Sequence, residues 1–313
     1  MTFLLTSQMS RIILLLILLM EITSAGGKSN VRKAQQEEAF DNVEDQGPVA
    51  PEQGIRGGFP VQRPIPWFVS FVGDVVCGGV LIHEDMVLTT AHCVDGFQYP
   101  ERVRIGSLFR NRGGEVRRVR QGRTHPRWNG IIEEGYDIAL LKLNSPVNSS
   151  YTPATVNSFG NVPRRLERLF TVGHGQQETG GAPPDRLQGL LYTYVEDCEP
   201  RLPAGVYNPT WFLCANANPS RGTCPGDSGG PVVVNGTNIL VGVNSFSPGD
   251  CNRQQVDVYS RVSTYYDWII AEVCTLAATP PTTGCPPGCL FAPPQLFTQG
   301  FQAMRSFFGL EQP

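Results

Sequence analysis

The sequence predicts an all-β protein, a barrel or sandwich, on three observations. Short apolar, β-branched runs recur from Ile55 onward, parted by Gly, Pro and Asn. Glycine (34) and proline (26) make up about a fifth of the 313 residues, which suits turn-rich sheets better than a helical bundle. One helical pattern stands out in this region, STYYDWIIAEV at 263–273, with Ser263 placed to cap it. In chain order the strand candidates are WFVSFVGDVV (67–76), GGVLI (78–82), MVLTT (86–90), DIALLKL (137–143), LFTVG (169–173), PVVV (231–234) and ILVGV (239–243). Hydrophobic residues at 41% against 17% charged supply ample core, which excludes disorder. A net charge of −3 gives no global field for nucleic acid or an anionic membrane surface.

The chain ends differ in texture from this middle. Arg11 precedes the apolar run 12–20 (IILLLILLM), which Glu21 stops. Nine apolar residues are too few to span a bilayer but fit the hydrophobic stretch of a secretory signal, with Thr23 and Ala25 leading to a cut before Gly26. Residues 1–25 are therefore expected to be a signal peptide, and no transmembrane span is expected. Residues 26–54 are polar, aperiodic and too poor in apolar side chains to order themselves, a propeptide or linker. The folded domain is placed at 55–276 and a tail at 277–313. The tail opens on a Pro-rich spacer, and Phe297, Phe301, Met304 and Phe308 then recur at helical spacing. That helix would lie on the main domain, or serve a membrane surface or partner. A secreted chain meets an oxidising compartment, so its nine cysteines should mostly pair, and the sequons at Asn148 and Asn235 become usable for glycosylation.

Three short segments carry chemistry together: Thr-Ala-His-Cys at 90–93, Tyr-Asp-Ile-Ala-Leu-Leu at 136–141 and Gly-Asp-Ser-Gly-Gly-Pro at 226–231. A serine hydroxyl is a poor nucleophile until a base takes its proton, and the base needs a third group to fix its tautomer. Ser228, His92 and Asp137 are the candidates for those roles. Glycines on both sides of Ser228 leave backbone amides able to point at one spot and stabilise an oxyanion.

With TAHC, DIALL and GDSGGP in that order, the chain resembles the chymotrypsin/trypsin-like serine peptidases from Ile55 to about Cys274. The resemblance implies two six-stranded antiparallel β-barrels with the triad in the cleft between them and a C-terminal helix. It implies attack by Ser228, proton transfer by His92, orientation by Asp137, an oxyanion hole from the amides of Gly226 and Ser228, and Ser245 beside the buried aspartate. Cys77–Cys93, Cys198–Cys214 and Cys224–Cys251 are the disulfides it implies. Among Cys274, Cys285 and Cys289 one pair can close, and the odd cysteine stays free or bonds another chain. Implied partners are protein or peptide substrates, an activating protease and protein inhibitors; no cofactor or metal is expected.

The chain departs from the family in several places. The family matures by a cut that frees an ammonium to pair with the aspartate before the nucleophile. Ile55 and Asp227 fill those positions, but Arg56 replaces the usual valine and Gly54 precedes the bond. Activation between Gly54 and Ile55 by a protease of non-tryptic specificity is the expectation. Gly222 stands where trypsins carry the pocket-floor aspartate, Ser247 replaces a wall glycine, and Asp257 occupies the neighbouring wall, with Ser245 and Phe246 alongside. Asp257 either reads a basic P1 residue while the glycine floor admits apolar ones, giving broad or mixed preference, or turns to solvent. A buried carboxylate there should seek a cation or a water network. Pro225 donates no amide, but the oxyanion donors lie further on. Nine arginines lie between Arg102 and Arg127, either an exosite for an acidic protein or polysaccharide or a solvated strand face; Ser107 and Arg110 stand where a calcium loop would need acids. The alternative from another class is a non-catalytic secreted binding protein on a serine-protease fold. A non-peptidic esterase would need a strand–helix elbow, which the order of the three segments opposes.

Overall fold

Strands form here wherever β-branched and aromatic residues can bury a face, and the most apolar of them bury both. The computed structural model describes residues 55–95, 99–198, 202, 205–216, 221–248, 251, 256–281, 283 and 285. The expected signal peptide (1–25) and propeptide or linker (26–54), the phenylalanine row of the tail and Cys289 lie outside the described residues. The first barrel closes in the order β2 (Phe68–Val72), β3 (Gly78–His83), β4 (Met86–Thr89), β7 (Ala139–Leu143), β6 (Glu115–Thr124) and β5 (Arg102–Ile105). Every residue of β4 and β7 is buried, whereas β6 alternates between half-buried and exposed positions, one side facing water.

The second barrel is a ring of β9 (Arg168–Gly173), β10 (Gln188–Val195), β11 (Phe212–Asn216), β14 (Val256–Arg261), β13 (Ile239–Phe246) and β12 (Pro231–Val234), closed by β12 against β9. All six pairings in it are antiparallel. Short β1 (Phe59–Pro60) extends the sheet along β10, and β8 (Thr155–Val156) runs parallel to β13. The fold is thus the pair of six-stranded barrels the resemblance implies.

The helix begins later than Ser263 suggests. A 3-10 turn spans Val262–Thr264, and the single described α-helix, α1, runs Tyr266–Leu276 with Tyr265 at its N-cap and no side-chain cap. The chain leaves β14 straight into the turn, which places Ser263 inside it rather than at its edge. The helix buries Ile269, Val273 and Cys274, and no described helix is long and apolar enough to cross a membrane. Four disulfides join Cys77–Cys93, Cys198–Cys214, Cys224–Cys251 and Cys274–Cys285, the last choosing among the three tail cysteines.

Candidate active site

Asp137 lies just before β7 and is fully buried. A carboxylate without water must be hydrogen-bonded, and this one is. Its Oδ1 accepts the backbone N–H of His92 at 2.9 Å, and its Oδ2 stands 2.8 Å from His92 Nδ1. The hydroxyl of Ser245, on β13, donates to the same Oδ2 at 2.5 Å, and Ser260, on β14, donates to the Asp137 carbonyl at 2.7 Å. An ionised carboxylate only accepts, so Nδ1 carries the proton and Nε2 keeps a lone pair, the tautomer a general base needs. The His92 side chain is 24% exposed, buried enough to be held and open enough to be reached.

Ser228 lies in the loop between Cys224 and β12 and is half-buried. Its carbonyl accepts the N–H of Gly78 at 2.7 Å, while the neighbouring Cys77 is bonded to Cys93, the residue after His92. The nucleophile loop and the histidine are thereby fastened to one point at the start of β3. The loop spends its amides unevenly. Asp227 N–H donates to Cys224, Gly229 N–H to Asn244 and Gly230 N–H to Asp227, all to carbonyls at 2.8–2.9 Å. Among the described residues the amides of Gly226 and Ser228 find no backbone acceptor. Gly226 and Gly229 have φ of 100° and 76°, conformations that L side chains rarely adopt, and a Cβ on Gly229 would run into Thr89 and the Gly78 carbonyl.

Asp227 is buried, with Oδ1 accepting Gly175 N–H at 2.7 Å and Oδ2 accepting Cys224 N–H at 2.9 Å. A Cβ on Gly173 or Gly175 would run into its carboxyl, so the chain wraps it closely. Burial pushes its pKa up to about 7, against the lowering effect of those two amides. Ile55 is wholly buried among Leu169, Leu190, Leu213 and Tyr259, at a φ of 40°, strained for a β-branched residue. Arg56, odd by sequence, accepts Gly222 N–H at its carbonyl and donates from its guanidinium to the Cys251 carbonyl, both at 3.0 Å.

Asp257 does not turn to solvent: it has no exposed surface. Its carboxyl finds neither cation nor ion pair among the described residues. It accepts the Tyr192 hydroxyl, the Ser247 hydroxyl at 2.6 Å and the Thr223 N–H at 2.9 Å, and burial holds its pKa well above the usual range. Three neutral donors from the protein thus take the place of the cation or water network expected there. Tyr192 and Thr223 carry no motif and sit far from Asp257 in sequence, so the sequence reading missed them. Phe246 packs edge-on against Phe212 at 5.5 Å, and Gly222 is buried. His174 was also missed; it is buried against Phe68 and, with Gly226 and Asp227, lines a small cavity, burial bringing its pKa down to about 4. Asn148 and Asn235 are exposed, Asn235 in the turn between β12 and β13.

Comparison with known proteins gives a consistent relationship. The family model described as trypsin matches residues 55–269. A trypsin of Saccharopolyspora erythraea is 32% identical over 217 residues, covering 66% of this chain and 92% of that protein. The chymotrypsin-like elastase family member 1 of Bos taurus is 35% identical over 205 residues, covering 62% and 77%. Its counterpart from Rattus norvegicus is 35% identical over 226 residues, covering 68% and 85%.

Asp227 sets a pH dependence. An unfolded carboxyl ionises near 3.8 and this one near 7, so between those values the uncut folded chain holds an extra proton and loses stability as pH rises. In the uncut chain, Asp227→Asn should therefore gain melting temperature relative to wild type as pH rises from about 4 to about 7, the window of the shift, read by thermal unfolding at each pH. A difference that does not change with pH would contradict this.

Proposed function

The chain belongs to the trypsin family of serine peptidases, and from that premise we propose that this endopeptidase cuts peptide bonds with Ser228, His92 and Asp137. The observation that carries the reading is the pair of loop amides, Gly226 and Ser228, with no backbone acceptor among the described residues, together with a histidine whose Nδ1 is held by a buried carboxylate. Ser228 Oγ attacks the scissile carbonyl as His92 Nε2 takes its proton. The carbonyl electrons move to oxygen, where the two amides bind the developing charge. Collapse breaks the C–N bond, and His92 returns the proton to the leaving amine, leaving an ester on Ser228. Water then attacks that ester with His92 again as base, releasing the acid and restoring the hydroxyl. Asp137 stays ionised throughout and stabilises the imidazolium.

We further propose synthesis as a secreted zymogen, with residues 1–25 a signal peptide, glycosylation at Asn148 and Asn235, and activation by another protease between Gly54 and Ile55. What supports activation there is the buried place of Ile55, the docking of Arg56 on Gly222 and Cys251, and a buried Asp227 carboxyl lacking a cation among the described residues. A freed ammonium would supply that cation and hold the loop in shape.

For P1 we propose a broad preference. Gly222 leaves the pocket floor open to apolar side chains. Asp257 has no exposed surface and is held by three donors, so it acts on a basic P1 group through the half-buried Ser247 hydroxyl, whose hydrogen bond it accepts, and not by direct contact.

Two kinetic outcomes follow. Asp137→Asn should lower kcat by about ten-thousand-fold, a figure carried over from the best-studied triads of this family, through the wrong His92 tautomer. A loss under about tenfold would remove Asp137 from the mechanism. Asp257→Asn should lower kcat/KM for an Arg P1 peptide relative to Leu and Phe P1 peptides; unchanged ratios would show that Asp257 does not read P1.

A further inference from the structure

The segment from Arg102 to Arg127 holds nine arginines, no lysine and the single acid Glu115, on a chain whose net charge is −3. The structure divides them. Arg104 is spent on the carbonyls of Arg110, Asn111 and Gly113. Arg112 pairs with Asp185, Arg117 pairs with Glu115 and reaches the Pro146 carbonyl, and Arg127 lies over the ring of Tyr136. Arg110 is half-buried and lines the small cavity with His174, and the other four, Arg102, Arg118, Arg120 and Arg123, are exposed on the outer face of β5 and β6. Arg118 stands 3.7 Å from Glu101, both well exposed, and Arg123 stands 3.7 Å from Glu272 at the edge. Arg102 and Arg120 have no ion-pair partner among the described residues.

The strand register sharpens this. Arg102 lies directly across from Arg118, a like-charged pair that works against strand pairing. Arg120 follows two positions on, at the irregularity between Val119 and Gln121 that swings the strand toward β7. Successive same-face positions on a strand are about 7 Å apart and cross-strand neighbours about 5 Å. The result is a ladder of guanidinium groups whose repulsion the fold itself does not need.

We propose that this face, carried by Arg102, Arg118 and Arg120 with Arg123 at its edge, binds a sulfated polysaccharide. An arginine fork matches the paired oxygens of a sulfate, and a linear polymer with anions on successive sugars offers charge at comparable spacing. An acidic polypeptide is the poorer fit. Protein interfaces draw their energy from buried aromatic and apolar anchors, and Val116 is the one apolar side chain standing in this row. The site is separate from the catalytic residues and does not depend on the peptidase reading.

The test is retention of the full chain on immobilised heparin and its affinity for a heparin oligosaccharide across a salt series. The triple variant Arg102→Thr, Arg118→Thr, Arg120→Thr should elute at lower salt, with the slope of log affinity against log salt shallower by about two to three. Its melting temperature should be no lower than that of the parent, since like charges have been parted. Removing equal charge elsewhere, by Arg164→Thr, Arg165→Thr and Arg168→Thr, should leave retention intact. Should the first triple variant lose the fold, Arg120→Glu alone must weaken retention. Equal losses from both triple variants would overturn the proposal in favour of net charge alone. Poly-glutamate of matched charge binding as tightly as heparin would overturn it in favour of an acidic polypeptide.

Discussion

The carboxylate of Asp137 is the constraint on which the site rests. Burying a charge is costly unless every lone pair is met, and here the donors come from both barrels. His92 brings its backbone and ring from the loop after β4, whereas the Ser245 hydroxyl reaches the carboxylate from β13 and Ser260, on β14, holds the Asp137 backbone carbonyl. Neither barrel alone could satisfy this group. The same bonds that lower the cost of burial fix the imidazole, so the stability of the junction and the reactivity of the site share one set of contacts.

A second constraint acts on the nucleophile loop. Its backbone turns so that the Gly226 and Ser228 amides meet no backbone acceptor among the described residues, and the glycines at 226 and 229 permit that turn. Beneath it, Asp227 is gripped by Gly175 and Cys224, so the loop's shape is tied to a buried group whose charge state is unsettled near neutrality. A site assembled this way is open to control from wherever a cation can be delivered to Asp227. Ile55 is buried in the second barrel, and Arg56 bridges to Gly222 on the segment that leads to Cys224 and Asp227.

Some of this was legible in the sequence because it is local. TAHC, DIALL and GDSGGP are contiguous, and strands such as PVVV announce themselves by composition. What escaped is non-local or disguised. β14 reads VDVYSR, and its Asp257, Ser260 and Arg261 hid a wholly buried strand. Those three are buried because partners arrive from elsewhere: Tyr192 and Thr223 at Asp257, the Asp137 carbonyl at Ser260, and the Tyr194 hydroxyl with the Pro209 carbonyl at Arg261. β5 and β6 were masked by their arginines: the alternation in RVRI is short, and in β6 Val116 stands on the wet face in the same row as Arg118 and Arg120. The Cys274–Cys285 pairing had no local signature that set it apart from the use of Cys289.

On the proposed mechanism the two barrels assemble a reactive serine once the chain begins at Ile55. Fluorophosphonate labelling of the protein cut before Ile55, beside the uncut chain, tests it most directly, with the modified residue located by peptide mass mapping. Labelling of the cut form alone, at Ser228, is the predicted result. Failure of both forms to label would mean that the oxyanion site never forms, and would contradict the account.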